Sequence, residues 1–395
     1  MGKYYDLVVC GGGPSGLAAA VAAGRQGLKA AIVEEDPEIG GAPVDSYIQF
    51  FTGLPNAGIH REMRERMSAL APEMSGSNCF RRGSYLLVFY EMLGELDVDI
   101  ITGRRIDRVG FSDGAISSVG GESFTVEGKI FIDATGNGDI AALAGCEYRY
   151  GREAADEYGE DFAPAKADRR VQMCTQMFAL KRFDDGTAPA NFAKYNKDEY
   201  LIWGPSAECA DTTDPFEVMK TRRALMAKLP EIAREWYAKG FQVTDIAPKL
   251  GVRESRRIVG LYTLKYSNVM ERRRFNDSVT IAHYVIDPWE PEGNPFHDKE
   301  KRKRCQVPYY EIPYRCLVGE KYRNLYFVGR CISTTHVVNS SNRVIPICMM
   351  TGQAAGTAAK FALESGDCRS IDIPALQAEL RRGGMLVTLD EEPKA

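Results

Sequence analysis

The sequence predicts an α/β fold: a parallel sheet with an inserted β-meander, joined to a smaller α+β unit in the middle of the chain. Three observations predict it. A buried strand runs straight into glycines in "LVVCGGGPSG" and then into an alanine-rich helix. Two apolar stretches far downstream, "KIFIDATG" and "NLYFVG", end the same way. Between them, runs of alternating polarity and runs of helical spacing follow one another without any internal repeat.

The first unit is the most specific. "YYDLVVC" reads as a fully buried strand, "PSGLAAAVAAGRQG" as a helix stopped by Gly27, and "KAAIVEE" as a second buried strand. The turn fits G-x-G-x-x-G, a pattern too common to mean much without this βαβ context. In it, Gly11 permits the tight turn, Gly13 lets backbone approach a pyrophosphate, and Gly16 lets the helix sit close on the strand. Pro14 and Ser15 stand at the helix start, where free N–H groups face an anion. Glu34, ending the second strand, can accept hydrogen bonds from a ribose diol and would repel a 2′-phosphate, which disfavours NADP. The reading is a Rossmann-like dinucleotide site, with Gly40 and Gly41 just beyond the acid.

Further on, "RIDRVGFSDGAISSVGGESFTVEGK" carries Asp-Gly and Gly-Gly turns and reads as a three-stranded meander. "KIFIDATG" follows as a strand running into Ala134, Thr135 and Gly136. "VQMCTQMFALKR" alternates like a strand, "PFEVMKTRRALMAKLPEIAREWYAKG" is helical with a break at Pro230, and "DSVTIAHYVID" is strand-like, before a polar loop to Arg304. "NLYFVG" is the last buried strand, ending at Gly329 and Arg330. "TGQAAGTAAKFA", with Gly352 and Gln353, is a small-residue helix. The expected organisation is a cofactor domain at 1–151, a substrate domain at 152–308 and a return segment at 309–395, its "DEEPKA" end mobile.

Composition narrows the function. A net charge of −4 and a pI near 5.8 give no support for nucleic-acid or anionic-membrane binding. The basic run Lys299–Arg304 reads as a solvated loop. Ten cysteines without C-x-x-C spacing indicate neither a metal site nor a disulfide framework, and suggest a reducing compartment. No secretory or membrane-spanning stretch is visible, so the expectation is a cytoplasmic protein without a membrane partner. Oligomeric state is left open.

The glycine turn, "ATGNGD" (134–139), "GVRESRRIVG" (251–260), "IPYRCL" (312–317) and "GRCIS" (329–333) with Arg343-Val344 occur in a set order. With them the chain resembles the FAD-dependent oxidoreductases of the two-dinucleotide-binding-domain, glutathione-reductase-like flavoprotein superfamily. The resemblance implies FAD as cofactor, held by Gly11, Gly13, Pro14, Ser15, Gly16, Glu34, Gly41, Ala134, Thr135, Gly136, Gly329, Arg330, Gly352 and Gln353. It also implies that the start of the small-residue helix points at the flavin, where a helix N-terminus stabilises negative charge. No second strand–G-x-G-x-x-G–helix unit follows, so a dedicated nicotinamide domain is not expected, and no Cys-x(4)-Cys dithiol is present.

Catalytic candidates are few. His336 lies in "CISTTHVVNSSNRVIP", expected as a loop walling the substrate pocket, and is either a proton carrier or a structural histidine. Arg343 either binds a substrate anion or the flavin, or closes an ion pair. Arg253 and Arg256, beside Arg257, offer planar forks for carboxylates if their segment is a helix with Arg253 and Arg257 on one face. Tyr314, Arg315 and Tyr284 are further candidates, whereas Cys331 and Cys348 read as core thiols. The expected activity is hydride transfer between FAD and a small polar organic substrate at a C–C or C–O bond. Two other readings stand beside it: an NAD-linked dehydrogenase, and a flavoprotein component of an electron-transfer or RNA-modifying assembly without turnover of its own.

Overall fold

A computed structural model describes residues 4–72, 77–185, 187, 192–292 and 299–393. Its main sheet begins with β1 (Tyr4–Cys10), β2 (Ala30–Val33) and β3 (Val98–Ile101), which run parallel in the order β3-β2-β1. Leu7 to Cys10 and all of β2 are buried, as expected of parallel strands covered on both faces. The meander follows as β4 (Arg108–Ser112), β5 (Ala115–Gly121) and β6 (Phe124–Asp133). The sequence separates the third meander strand from "KIFID"; the structure makes them one strand, β6. No turn interrupts it, because Gly128 lies flat against β1, where a Cβ would come within 2.7 Å of the Val8 side chain. The first half of β6 pairs antiparallel with β5, and its last three residues pair parallel with the strand Leu325–Phe327.

That arrangement decides where a ligand can bind. β1, β6 and Leu325–Phe327 are adjacent and parallel, so their carboxyl ends open on one edge of the sheet. Each runs into glycine or alanine there, at Gly11, Ala134 and Gly329. In open α/β sheets this edge is the ligand-binding edge.

Helix α1 (Pro14–Arg25) crosses the sheet with Ser15 to Ala23 buried, and packs on the long helix Ile345–Ser365. Their backbones approach closely because Gly352 and Gly356 have no Cβ; one added there would sit 2.0 Å from Ser15 O and 2.1 Å from Ala19 O. The long helix starts at Ile345, a turn and a half earlier than "TGQAAG" suggests, because Pro346 fits its first turn.

The middle of the chain forms a four-stranded antiparallel sheet in the order Phe192–Lys194, Glu199–Ile202, Phe178–Arg182, Phe241–Ile246. Helices Pro215–Met226 and Leu229–Ala238 break at Pro230 as expected, and Leu229 packs with Phe178, Tyr200 and Phe241. Ser278–Ala282 pairs with Tyr310–Pro313, and its Val279 and Ala282 join the main core with Leu17 and Ile347.

Three expectations are corrected. Ser333–Arg343 is not a loop: Thr335 caps a buried helix, His336–Asn342, by accepting from Val338 N at 3.3 Å. "GVRESRRIVG" is not a helix; Arg257–Ile258 forms a short strand against Tyr148–Arg149. Lys299–Arg304 is helical, and the residues before it, 293–298, lie outside the described ones. Of the expected mobile tail, Asp390 and Glu391 belong to a 3₁₀ turn, Leu389–Glu391, held by Arg381, whereas 394–395 lie outside the described residues. Among the described residues no helix is long and apolar enough to cross a membrane.

Candidate active site

A cavity of about 1580 Å³ opens at the carboxyl edge of the main sheet. It exceeds the roughly 300–1,000 Å³ of a pocket for one small molecule, so it has room for a dinucleotide and a second molecule. Gly11, Gly13, Pro14, Ser15, Glu34, Gly41, Ala134, Thr135, Gly136 and Arg330 all line it. The remaining expected cofactor contacts do not. Gly16 seats α1 on the strand turn, where a Cβ would meet Gly11 O at 1.9 Å, and Gly329 lies against Ser15. Gly352 is a helix-packing residue, and Gln353 holds Ile59 N at 2.8 Å and Gly383 O at 3.0 Å.

The nucleotide end is built from backbone. Gly11 turns with φ +106°, a conformation that L side chains rarely adopt, and a Cβ there would strike Ala134 O. Gly13 caps α1 without a side chain and Pro14 has no N–H, so the first-turn amides face the cavity unclaimed by a cap. Glu34 Oε2 accepts from Gly12 N at 2.6 Å and Oε1 from Asp36 N at 3.0 Å. Each oxygen keeps a second lone pair. Burial raises its pKa, against the pull of those amides. Asp133, which sequence reasoning missed, sits fully buried at the end of β6 and accepts from Thr135 N, Thr135 Oγ1 and Ala141 N at 3.1, 2.7 and 2.9 Å. It pins the "ATG" turn; burial pushes its pKa up to about 6 despite these bonds.

The other end is built from side chains. Arg253, Arg256 and Arg343 line the cavity with Thr52, Thr175, Tyr284, Asp287 and Trp289. Asp287 Oδ2 gathers this group, accepting from Tyr284 Oη (3.4 Å), Trp289 Nε1 (3.1 Å) and Arg343 Nη2 (3.3 Å). Arg253 stacks on the Trp289 ring at 3.7 Å, and Arg256 pairs with Asp139 at 2.7 Å. Phe50, Met177 and Trp203 form an apolar wall, the Phe50 and Trp203 rings 4.6 Å apart.

Two of the expected catalytic residues are elsewhere. Tyr314 is sealed in the core, its hydroxyl 2.8 Å from that of Tyr326 and donating to Cys368 O at 2.6 Å. His336 is behind the cavity wall. Its Nδ1 lies 2.8 Å from Glu254 Oε2 and its Nε2 3.1 Å from Glu290 Oε1, in a buried charge network with Arg257, Glu153 and Arg152. Burial alone would lower its pKa; the two carboxylates outweigh burial and raise it to about 9. Both ring nitrogens are engaged by carboxylates and the residue does not line the cavity, which is the structural role that the sequence offers beside proton transfer.

The charge balance tests what the cavity is suited to hold. Arg330 donates to Gly136 O at 2.9 Å, to Asn137 Oδ1 at 2.7 Å and to Val252 O, all uncharged. Arg253 donates to Met173 O and Thr175 Oγ1, also uncharged. Burial, then the Arg343 charge, pushes the Arg253 pKa down, and burial does the same at Arg330. Two guanidinium groups at low dielectric without carboxylate partners among the described residues call for a bound anion. A dinucleotide diphosphate beside the uncapped end of α1 fits that demand at Arg330, which sits on Gly136 O, whereas Arg253 lies at the side-chain end with Thr175 and Trp289.

The chain belongs to the FAD dependent oxidoreductase family, whose model matches residues 6–380. It is accordingly an enzyme that works with FAD. Solved structures similar to it include a geranylgeranyl bacteriochlorophyll reductase-like protein from Thermoplasma acidophilum. That protein is 14% identical over 97% of this chain and 83% of its own, with a TM-score of 0.48. The anhydrotetracycline hydroxylase OxyS from Streptomyces rimosus is 14% identical over 96% and 66%, with a TM-score of 0.47. The flavin-dependent brominase Bmp2 is 13% identical over 96% and 83%, with a TM-score of 0.44. No curated protein matches the chain.

Proposed function

We propose that this enzyme transfers a hydride between FAD and a small organic substrate bound at the side-chain end of the cavity, acting at a C–C or C–O bond. One observation carries the reading: a single cavity joins the glycine-built nucleotide end to a pocket lined by Arg253, Arg343, Tyr284, Asp287 and Trp289. Bound FAD supplies the hydride chemistry at its N5; the protein supplies orientation, charge and protons. Gly13, Ser15, Gly136, Arg330 and Glu34 are the residues that would hold the cofactor. Substrate in this reading is small, and no nucleic-acid or membrane partner is invoked.

Tyr284 is the proposed proton donor. It lines the cavity with its hydroxyl beside Asp287; burial, then the Asp287 charge, raises its pKa and makes it a weaker acid than an ordinary tyrosine, so the role rests on its position. In the direction that reduces the substrate, a hydroxyl so placed can protonate it as the hydride arrives, a contribution of typically about 10²–10⁴-fold. Arg343, held by Gln172 and Asp287, fixes the charge around it. The test is anaerobic mixing of the protein, its FAD oxidised in one series and reduced beforehand with dithionite in another, with a panel of sugars, hydroxy acids and unsaturated acids. The reading requires that one class oxidise or reduce the bound flavin, and that Tyr284→Phe slow the step while FAD content stays constant. A flavin indifferent to every class, or full activity in Tyr284→Phe, counts against it.

A further inference from the structure

We propose that the substrate is an organic carboxylate with an apolar body, its carboxylate docked on Arg253 and its body against Phe50, Met177 and Trp203. The proposal rests on the reading of the cavity as the site of oxidoreduction, and names what that site selects.

The first support is an open guanidinium edge. Nη1 of Arg253 is committed to Met173 O at 2.7 Å and Thr175 Oγ1 at 2.6 Å, and the ring of Trp289 covers one face. Nε and Nη2 have no partner among the described residues, and neither is sealed from the cavity. A planar fork with one edge free matches a carboxylate through two parallel hydrogen bonds. The other cavity arginines of these segments present no such open edge, and Arg256 Nε, which has no partner among the described residues, is buried. Arg343 uses Gln172 and Asp287, Arg256 uses Asp139 and Asn137 O, and all three nitrogens of Arg330 are taken by oxygens.

The second support is the neighbouring wall. Thr175, which holds Arg253, and Met177 both line the cavity and are two residues apart, so their backbones lie at most about 7 Å from each other. Met177 clusters with Phe50 and Trp203. An apolar surface therefore begins within one small molecule's length of the open fork. A fully polar ligand would leave that surface unused, and a neutral one would leave Arg253 without its counter-charge.

Cofactor phosphate is the other anion that could take the fork, and the experiment separates the two. The FAD-loaded protein is titrated with phenylacetate, acetate and phenylacetamide while the flavin absorbance spectrum is followed. Phenylacetate should perturb the flavin saturably and bind tighter than acetate, and the amide should bind roughly 10–100-fold more weakly than the acid. Arg253→Gln should lower phenylacetate affinity by a similar factor with FAD retained, and Arg253→Lys should restore part of it. Trp203→Ala should weaken phenylacetate and leave acetate unchanged. Equal binding of acid and amide overturns the proposal, as does the absence of any saturable change. Loss of FAD from a folded Arg253→Gln protein also overturns it, by making the arginine a phosphate ligand. Should that variant fail to fold, the acid–amide comparison on the unaltered protein still decides. The titration reads binding alone, so its failure is distinct from that of the hydride-transfer reading, which appears only as absent flavin reduction.

Discussion

Replacing His336 by glutamine should cost stability in a pH-dependent way. The imidazole is sealed from solvent between Glu254 and Glu290, and its pKa stands near 9 against an ordinary 6.5. At 1.36 kcal/mol per unit, the rise corresponds to about 3 kcal/mol, close to the roughly 3–5 kcal/mol for breaking one side of a buried ion pair. The folded pKa is raised, so this contribution is complete below about pH 6.5 and is lost as pH climbs through about 9. Unfolding entropy of about 2.1 cal/mol/K per residue scales, for 395 residues, to roughly 0.8 kcal/mol/K, so about 3 kcal/mol moves the midpoint by about 4 °C. Calorimetry of the FAD-loaded protein at about pH 6 should show that deficit in His336→Gln, and at about pH 10 most of it should be gone. Equal midpoints at both pH values, together with slowed flavin reduction, would refute the reasoning and return His336 to the reaction.

The remaining predictions concern the cofactor edge and the core. Gly352→Ala places a methyl 2.0 Å from Ser15 O, so it should lower the melting temperature by an amount equivalent to at least about 1–3 kcal/mol. Because Ser15 opens α1, FAD occupancy measured after denaturing release should fall as well. Glu34→Ala removes the acceptor for Gly12 N at the nucleotide end, and should weaken FAD retention in equilibrium dialysis by roughly tenfold or more. Tyr314→Phe should lose about 1–2 kcal/mol of stability with its bond to Cys368 O, and leave single-turnover flavin reduction unchanged.

The nucleotide half of the site was legible because its signals are local. Gly11, Gly13 and Glu34 belong to one βαβ unit, and Ala134 to Gly136 end a strand whose apolar run is visible by itself. Glycines at strand ends report a ligand edge whatever else the chain does. The substrate half was legible only in part: Arg253, Arg256, Arg343 and Tyr284 stood out singly and do line the cavity, whereas Thr52, Thr175, Asp287 and Trp289 share no spacing with them and are brought there by the fold. His336 drew attention as one of four histidines, but its partners Glu254 and Glu290 are 82 and 46 residues away, and only the fold makes it a buried cation. Gly352 and Gln353 misled for a different reason: a helix of small residues serves helix packing as readily as cofactor approach, and here α1 occupies that face. The "GVRESRR" segment has helical charge spacing, yet pairing with Tyr148–Arg149 overrides it and sends Arg257 inward while Arg253 reaches the cavity.

Single-turnover reduction of the bound flavin, with a substrate that passes the panel test supplied in C–H and C–D forms at the reacting carbon, tests the central claim most directly. Hydride transfer within the described cavity predicts that the deuterated substrate bleaches the flavin more slowly, and that Arg253→Gln lowers the rate at subsaturating substrate while FAD stays bound. Identical rates for the two isotopic forms, combined with an unaffected Arg253→Gln protein, would contradict it.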